Sequence, residues 1–144
     1  MITAIKKGNV LDFTEDLLAH GCNCQGVMGA GVAKAIAQKW PHVFELYHHQ
    51  FRTFGLELGT VHTVALEDRR VVLNCMTQEL TGTSVRQLNY EALVQCFEFI
   101  NRRFPNQTLA IPQIGAGLAG GNWNIIKAII NETTPDVDVT VYEL

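Results

Sequence analysis

A repeated local pattern constrains this fold most: a short apolar strand ends, glycines follow, and a helix begins. It occurs in "CQGVMGAGVAKAI" (24–36) and again in "IPQIGAGLAGGNWNII" (111–126). Glycine lets a backbone approach a ligand closely and reach positive φ. A helix N-terminus adds unpaired N–H groups and a partial positive charge suited to phosphate. Two such loops at the C-terminal ends of strands could enclose a diphosphate from both sides, where open α/β sheets bind their ligands. The net charge of −3 argues against a broad nucleic-acid surface but leaves room for an anion held by backbone amides.

The rest of the chain supplies matching elements. "ITAIK" reads as a strand closed by the turn "KGN", and residues 17–22 as a second strand with Leu18, His20 and Cys22 on one face. Val32, Ile36 and Trp40 repeat at helical spacing until Pro41 ends the run. A second helix over 42–55 is expected to turn Val43, Leu46, Tyr47 and Phe54 inward. "TVHTVAL" and "RRVVLNCMT" read as strands on either side of a charged turn. Residues 87–104 form the clearest helix, striped by Leu93, Cys96, Phe97, Ile100 and Phe104. "TLAIP" is a short buried strand, Asn122 an expected N-cap, and "VDVTVYEL" a terminal strand. With 144 residues and strands alternating with helices, the expectation is one α/β domain over 1–144, a mainly parallel or mixed sheet covered on both faces. No apolar run of some 18 residues suggests a membrane span, and the N-terminus has no leader-like core, so a cytoplasmic location with four reduced cysteines is expected.

His20, Cys22 and Cys24 stand every second residue, a spacing that chelates zinc poorly, and no second Cys/His cluster accompanies them. Neither a metal nor a cofactor is expected. C-x-C is also not the C-x-x-C of thiol redox sites. His20, at a strand end beside the first loop, could be a general acid, a base or a nucleophile, or a core histidine bonded to backbone. Asn23 could bind a sugar hydroxyl, orient a water, or stabilise its own turn. His42, His48, His49 and His62 read as structural or surface residues. Gly115, Gly117 and Gly120 spell G-x-G-x-x-G with Asp138 downstream, a dinucleotide-binding pattern. That fingerprint normally opens a first βαβ unit, and no second half follows here to build the crevice, so a dehydrogenase is disfavoured.

Taken in order, "KGNVLD", "AHGCNCQGVMGAGVAKAIAQKWP", "LNYEAL", "LAIPQIGAGLAGGNW" and "VTVYEL" resemble a macrodomain across essentially the whole chain. Within that family the chain resembles most the branch of the fungal ADP-ribose 1″-phosphate phosphatases, and also the glycohydrolases that free ADP-ribose from acidic side chains. The resemblance implies a three-layer α/β/α fold with a mixed six-stranded sheet. It implies ADP-ribose or its 1″-phosphate as ligand, or an ADP-ribosylated macromolecule, with no membrane partner. The diphosphate would lie between Gly26, Val27, Met28, Gly29, Ala30, Gly31 and Val32 of the first loop and Ile114, Gly115, Ala116, Gly117, Leu118, Ala119 and Gly120 of the second. Asn23 would flank the distal ribose, and Asn9, Val10 and Tyr142 the adenine. Asn9 replaces the aspartate that many relatives use to read the adenine amino group. The lysine and aspartate of the resembled glycohydrolases are matched by Gln78 or its neighbours and by Ala119, so a lysine-adduct mechanism is not expected. His20 matches the histidine of the phosphatase type, which makes His20 and Asn23 the candidate catalytic pair. A pure binding module remains an alternative.

Overall fold

The computed structural model describes residues 1–81, 87–117 and 119–144. Six strands, β1 (Ile2–Lys7), β2 (Leu17–Asn23), β3 (Val61–Ala65), β4 (Val71–Gln78), β5 (Thr108–Ile111) and β6 (Asp138–Glu143), form one sheet in the order β1-β6-β5-β2-β4-β3. All neighbours are parallel except β3, which pairs antiparallel with β4. The expected mixed six-stranded sheet is thus present.

Four helices cover the sheet: α1 (Gly31–Lys39) and α2 (Pro41–Phe54) on one face, α3 (Tyr90–Arg103) and α4 (Trp123–Thr133) on the other. The first face packs Leu18, Ile36, Val43, Tyr47, Val72 and Met76 together. The second gathers Ala19, Leu73, Leu93, Phe97, Ile111 and Ile126. β2, central and covered on both sides, is buried over nearly its whole length, so both faces of its alternation pack inside the protein. Edge strand β1 instead carries exposed Lys6 and Lys7, charges that discourage pairing with another chain. No described helix is long and apolar enough to cross a membrane.

Pro41 sits at the start of α2 and Trp40 ends α1, so the proline separates two helices where periodicity alone would run them together. The inner face expected for α2 needs correction. Val43 and Tyr47 are fully buried, but Leu46 is 48% exposed and Phe54 76% exposed. Leu46 lies at the margin of the apolar arc, and Phe54 occupies the last turn of the helix with no layer above it. α3 begins at Tyr90 behind its N-cap Asn89, three residues later than its apolar stripe suggested. Gln87 and Leu88 remain extended because both donate backbone N–H groups to Ala119 O.

Candidate functional site

The strand ends and both glycine loops surround one cavity of about 520 Å³. Its floor is His20, Gly21, Cys22 and Asn23 of β2 with Thr77 and Gln78 of β4. One wall is Val27 and residues 29–33, and the other runs from Pro112 to Gly115 with Gly117 and Ala119. Thr81 completes the rim. None of these described lining residues is Asp, Glu, Lys or Arg. Among the described residues the cavity offers only backbone, apolar and neutral polar groups.

The first loop is built on Asn23. Its Oδ1 accepts from Gln25 N (2.9 Å) and Val27 N (3.4 Å), and its Nδ2 donates to Val27 O (2.8 Å). This is the side-chain turn that asparagine favours. Buried Tyr47 donates its hydroxyl to Asn23 O (2.6 Å), and the His48 ring donates to Gly26 O (3.0 Å). Gly26 has φ +74°, and a Cβ there would stand 2.6 Å from the Phe51 ring, so only glycine fits. Beyond the turn, Ala30 gives α1 no side-chain cap, and Gly31, Val32 and Ala33 of its first turn, where backbone amides lack an intrahelical partner, line the cavity.

The second loop behaves differently, and one expectation fails. Asn122 caps α4, its Oδ1 accepting from Asn124 N and Ile125 N, and no residue of α4 lines the cavity. α4 therefore does not aim its N-terminus at the site, and α1 alone among the described helices presents one. The loop backbone takes its place: Gly115 (φ +78°) accepts from Gly121 N (2.8 Å), which folds the glycines into a tight curl.

His20 is buried (1% exposed), and its Nε2–H donates to Asn74 Oδ1 at 2.6 Å. Asn74 in turn donates from Nδ2 to His62 Nδ1 at 3.2 Å, so three side chains link β2, β4 and β3 in register. This chain of bonds leaves His20 Nδ1 as a lone-pair acceptor, with the Cys22 thiol 3.8 Å away. Burial holds the His20 imidazole down to about 4, so it is neutral at pH 7. Burial likewise raises the Cys22 thiol well above its ordinary value and Cys24 to about 11, which leaves both protonated and weakly nucleophilic. Among the described residues no group of three His, Cys, Asp or Glu side chains could hold a metal ion.

The structure brings His20, Asn23, Val27, Gly29, Ala30, Gly31, Val32, Ile114, Gly115, Gly117 and Ala119 together around the cavity. Gly26, Met28, Ala116 and Gly120 belong to the two loops but not to the lining, and the Met28 side chain is buried in the core. Leu118 lies outside the described residues. Asn9, Val10 and Tyr142 stand apart from the cavity. Asn9 caps a short turn of helix (Val10–Asp12) through Leu11 N, and Val10 packs in the core at 5% exposure. Tyr142 donates its hydroxyl to Glu15 Oε1 (2.6 Å). Asp138, the acid of the dinucleotide pattern, opens β6 at the opposite end of the sheet and bonds Thr3, so that pattern has no site to serve. Sequence reasoning missed Gly21 and Thr77 in the floor and the supports Tyr47 and His48. Tyr47 looked like core by spacing alone, and nothing local signals that its hydroxyl reaches Asn23.

Tyr47→Phe is expected to lower stability by about 1–2 kcal/mol, since the bond to Asn23 O is buried. It should also broaden the Asn23 side-chain amide resonances. Urea denaturation and NMR of the variant check this, and unchanged Asn23 signals would contradict it.

The Macro domain family profile matches residues 19–130. An uncharacterized 17.5 kDa protein of Enterobacteria phage T4 is 28% identical over 99% of this chain and 97% of its own length. A Saccharomyces cerevisiae ADP-ribose 1″-phosphate phosphatase is 25% identical, covering 96% of each chain. A Mycobacterium tuberculosis DNA ADP-ribosyl glycohydrolase is 25% identical over 94% of this chain, which spans only 40% of that protein. Among solved structures, a Bacteroides thetaiotaomicron protein superposes with TM-score 0.89 at 28% identity, covering 98% of this chain and 99% of that one. Thermosipho africanus DarTG in complex with ADP-ribose has TM-score 0.80 at 19% identity, covering 96% of this chain and 41% of that one.

Proposed function

The chain belongs to the macro domain family, and on that premise we propose that its cavity binds ADP-ribose and hydrolyses the phosphate monoester of ADP-ribose 1″-phosphate. One observation carries the reading: both glycine loops and the uncapped N-terminus of α1 open onto a single cavity that has no charged side chain among its described lining residues. Such a cavity suits a diphosphate held by backbone N–H groups. In this reading the adenine lies toward β6 and β1, the diphosphate over β5 and β2, and the distal ribose over β2 and β4, strands that are neighbours in the sheet.

Asn23 and His20 lie at the distal end of this arrangement. The reaction adds water across the P–O bond and releases inorganic phosphate and ADP-ribose. Neutral His20, with its lone pair on Nδ1, is a base in this scheme rather than an acid. A phosphate dianion against the ring favours the imidazolium and raises the value that burial has lowered. Asn23, already fixed by hydrogen bonds to Gln25, Val27 and Tyr47, positions the ribose in this reading. Likeness to the yeast phosphatase over both full lengths supports this choice. The glycohydrolase reading lacks a lysine at Gln78 and an acid at Ala119. The burial of His20 favours one second reading, a module that binds ADP-ribose without turning it over.

Phosphate release from ADP-ribose 1″-phosphate by wild type and His20→Ala tests the reaction. The expected result is a loss of about 100-fold or more in kcat for the variant, the scale of a lost general base. An unchanged rate removes His20 from the mechanism. ADP-ribose binding by wild type without phosphate release selects the binding module instead.

A further inference from the structure

A second histidine stands behind His20, on the far side of Asn74. In the sheet, His20 of β2 lies opposite Asn74 of β4, and Asn74 lies opposite His62 of β3. Asn74 is fully buried, and its side chain joins the two rings. It accepts from His20 Nε2–H at 2.6 Å and donates to His62 Nδ1 at 3.2 Å. His62 is half-buried and lines a separate hollow beside Gln50, Phe54, Glu57 and Glu79.

An asparagine amide has an acceptor at one end and donors at the other, so it can serve two rings in only two ways. With His62 neutral, its Nδ1 accepts from Asn74, Oδ1 faces His20, and His20 carries its proton on Nε2. Protonated His62 carries N–H on both ring atoms, and its Nδ1 no longer accepts. Two donors would then meet in a buried place, which loses the bond and leaves polar groups unpaired. Turning the amide over removes the conflict: Oδ1 accepts from His62, and Nδ2 faces His20 Nε2. That nitrogen must then accept, and His20 holds its proton on Nδ1.

We propose that His62 is a positioning residue for His20, and that its protonation, transmitted through the Asn74 amide, inverts the tautomer of the cavity histidine. His62 gains one proton from solvent. His20 keeps one ring proton, since the proton on Nε2 leaves to solvent as another arrives on Nδ1. The catalytic consequence rests on the phosphatase reading: neutral His62 keeps His20 Nδ1 free to act as a base, and protonated His62 covers it with a proton.

The charged neighbours of His62 are few. Glu57 and Glu79 share its hollow and favour the imidazolium. From α2, His42 reaches β3 by donating to Ala65 O (3.3 Å), whereas Glu45, His48, His49 and Arg52 border a different hollow. Glu98 and Arg102 of α3 lie with Val61, which alternation places on the opposite face of the sheet from His62. Burial lowers both rings, fully buried His20 to about 4 and half-buried His62 less, so His62 takes its proton first as pH falls.

Long-range proton–nitrogen NMR spectra of histidine-labelled protein, recorded from about pH 7.5 to 5, test the relay without substrate. At the upper end both rings should show the Nε2–H pattern. As His62 titrates, His20 should change to the Nδ1–H pattern with the same midpoint. His62→Asn keeps an amide oxygen for Asn74 and has no titrating ring, so His20 should hold one pattern throughout. In phosphate release from ADP-ribose 1″-phosphate, wild type should lose about tenfold more in kcat than His62→Asn for each pH unit below that midpoint. His20 that keeps its Nε2–H while His62 titrates overturns the proposal, and so does the same inversion in His62→Asn. Wild type that inverts the tautomer but releases no phosphate at any pH overturns the phosphatase reading and leaves the relay standing.

Discussion

Gly117→Glu is expected to weaken ADP-ribose binding by about 100-fold or more while the protein melts within about 2 °C of wild type. Gly117 lines the cavity, yet a Cβ there meets nothing within 4 Å and its φ is not positive. The fold therefore tolerates a side chain at this position, and an exposed substitution of this kind moves stability by only about 0.5 kcal/mol. The ligand site does not tolerate it. A carboxylate enters a cavity with no other charged side chain among its described lining residues and faces a diphosphate, a like-charge contact that costs on the order of several kcal/mol. Gly117→Ala should be nearly silent. If Gly117→Glu binds ADP-ribose normally, the second loop is not part of the cradle.

The second large effect is on acid stability. The ordinary value for a histidine is near 6.5, and burial holds His20 down to about 4 in the folded protein. Between these pH values the unfolded chain takes up a proton that the native state refuses. The contribution is complete above about pH 6.5 and is lost as pH falls toward 4, about 3 kcal/mol in all. His62 is lowered in the same direction by burial and adds to the trend. Urea midpoints measured from pH 7.5 to 4.5 should fall steeply for wild type and less steeply for His20→Gln. The slope is the readout, because the substitution also changes absolute stability through Asn74. Parallel slopes for the two proteins would show that His20 titrates normally.

The alternation of strands and helices, the Asn122 cap and the stripe of α3 were all legible from spacing, because local chemistry determines them. Leu46 and Phe54 were misread because helical period gives an angle and not the extent of the layer overhead. The two glycine loops were visible as strand-to-helix junctions, but their difference was not. Asn122 both announced α4 and removed its N-terminus from the site, a consequence of capping that spacing does not express. His20 was identified as a strand-end histidine, whereas its bond to Asn74 depends on the register of β2 with β4, 54 residues apart in sequence. Thr77 and Gly21 carry no motif at all. The pairing of β2 with β4 is what brings both into the floor of the cavity.

The most direct measurement is a calorimetric titration of the wild-type protein with ADP-ribose at pH 7.5. The account predicts saturable binding of one ligand per chain, abolished in Gly117→Glu. No binding by a wild-type protein that melts cooperatively would contradict it.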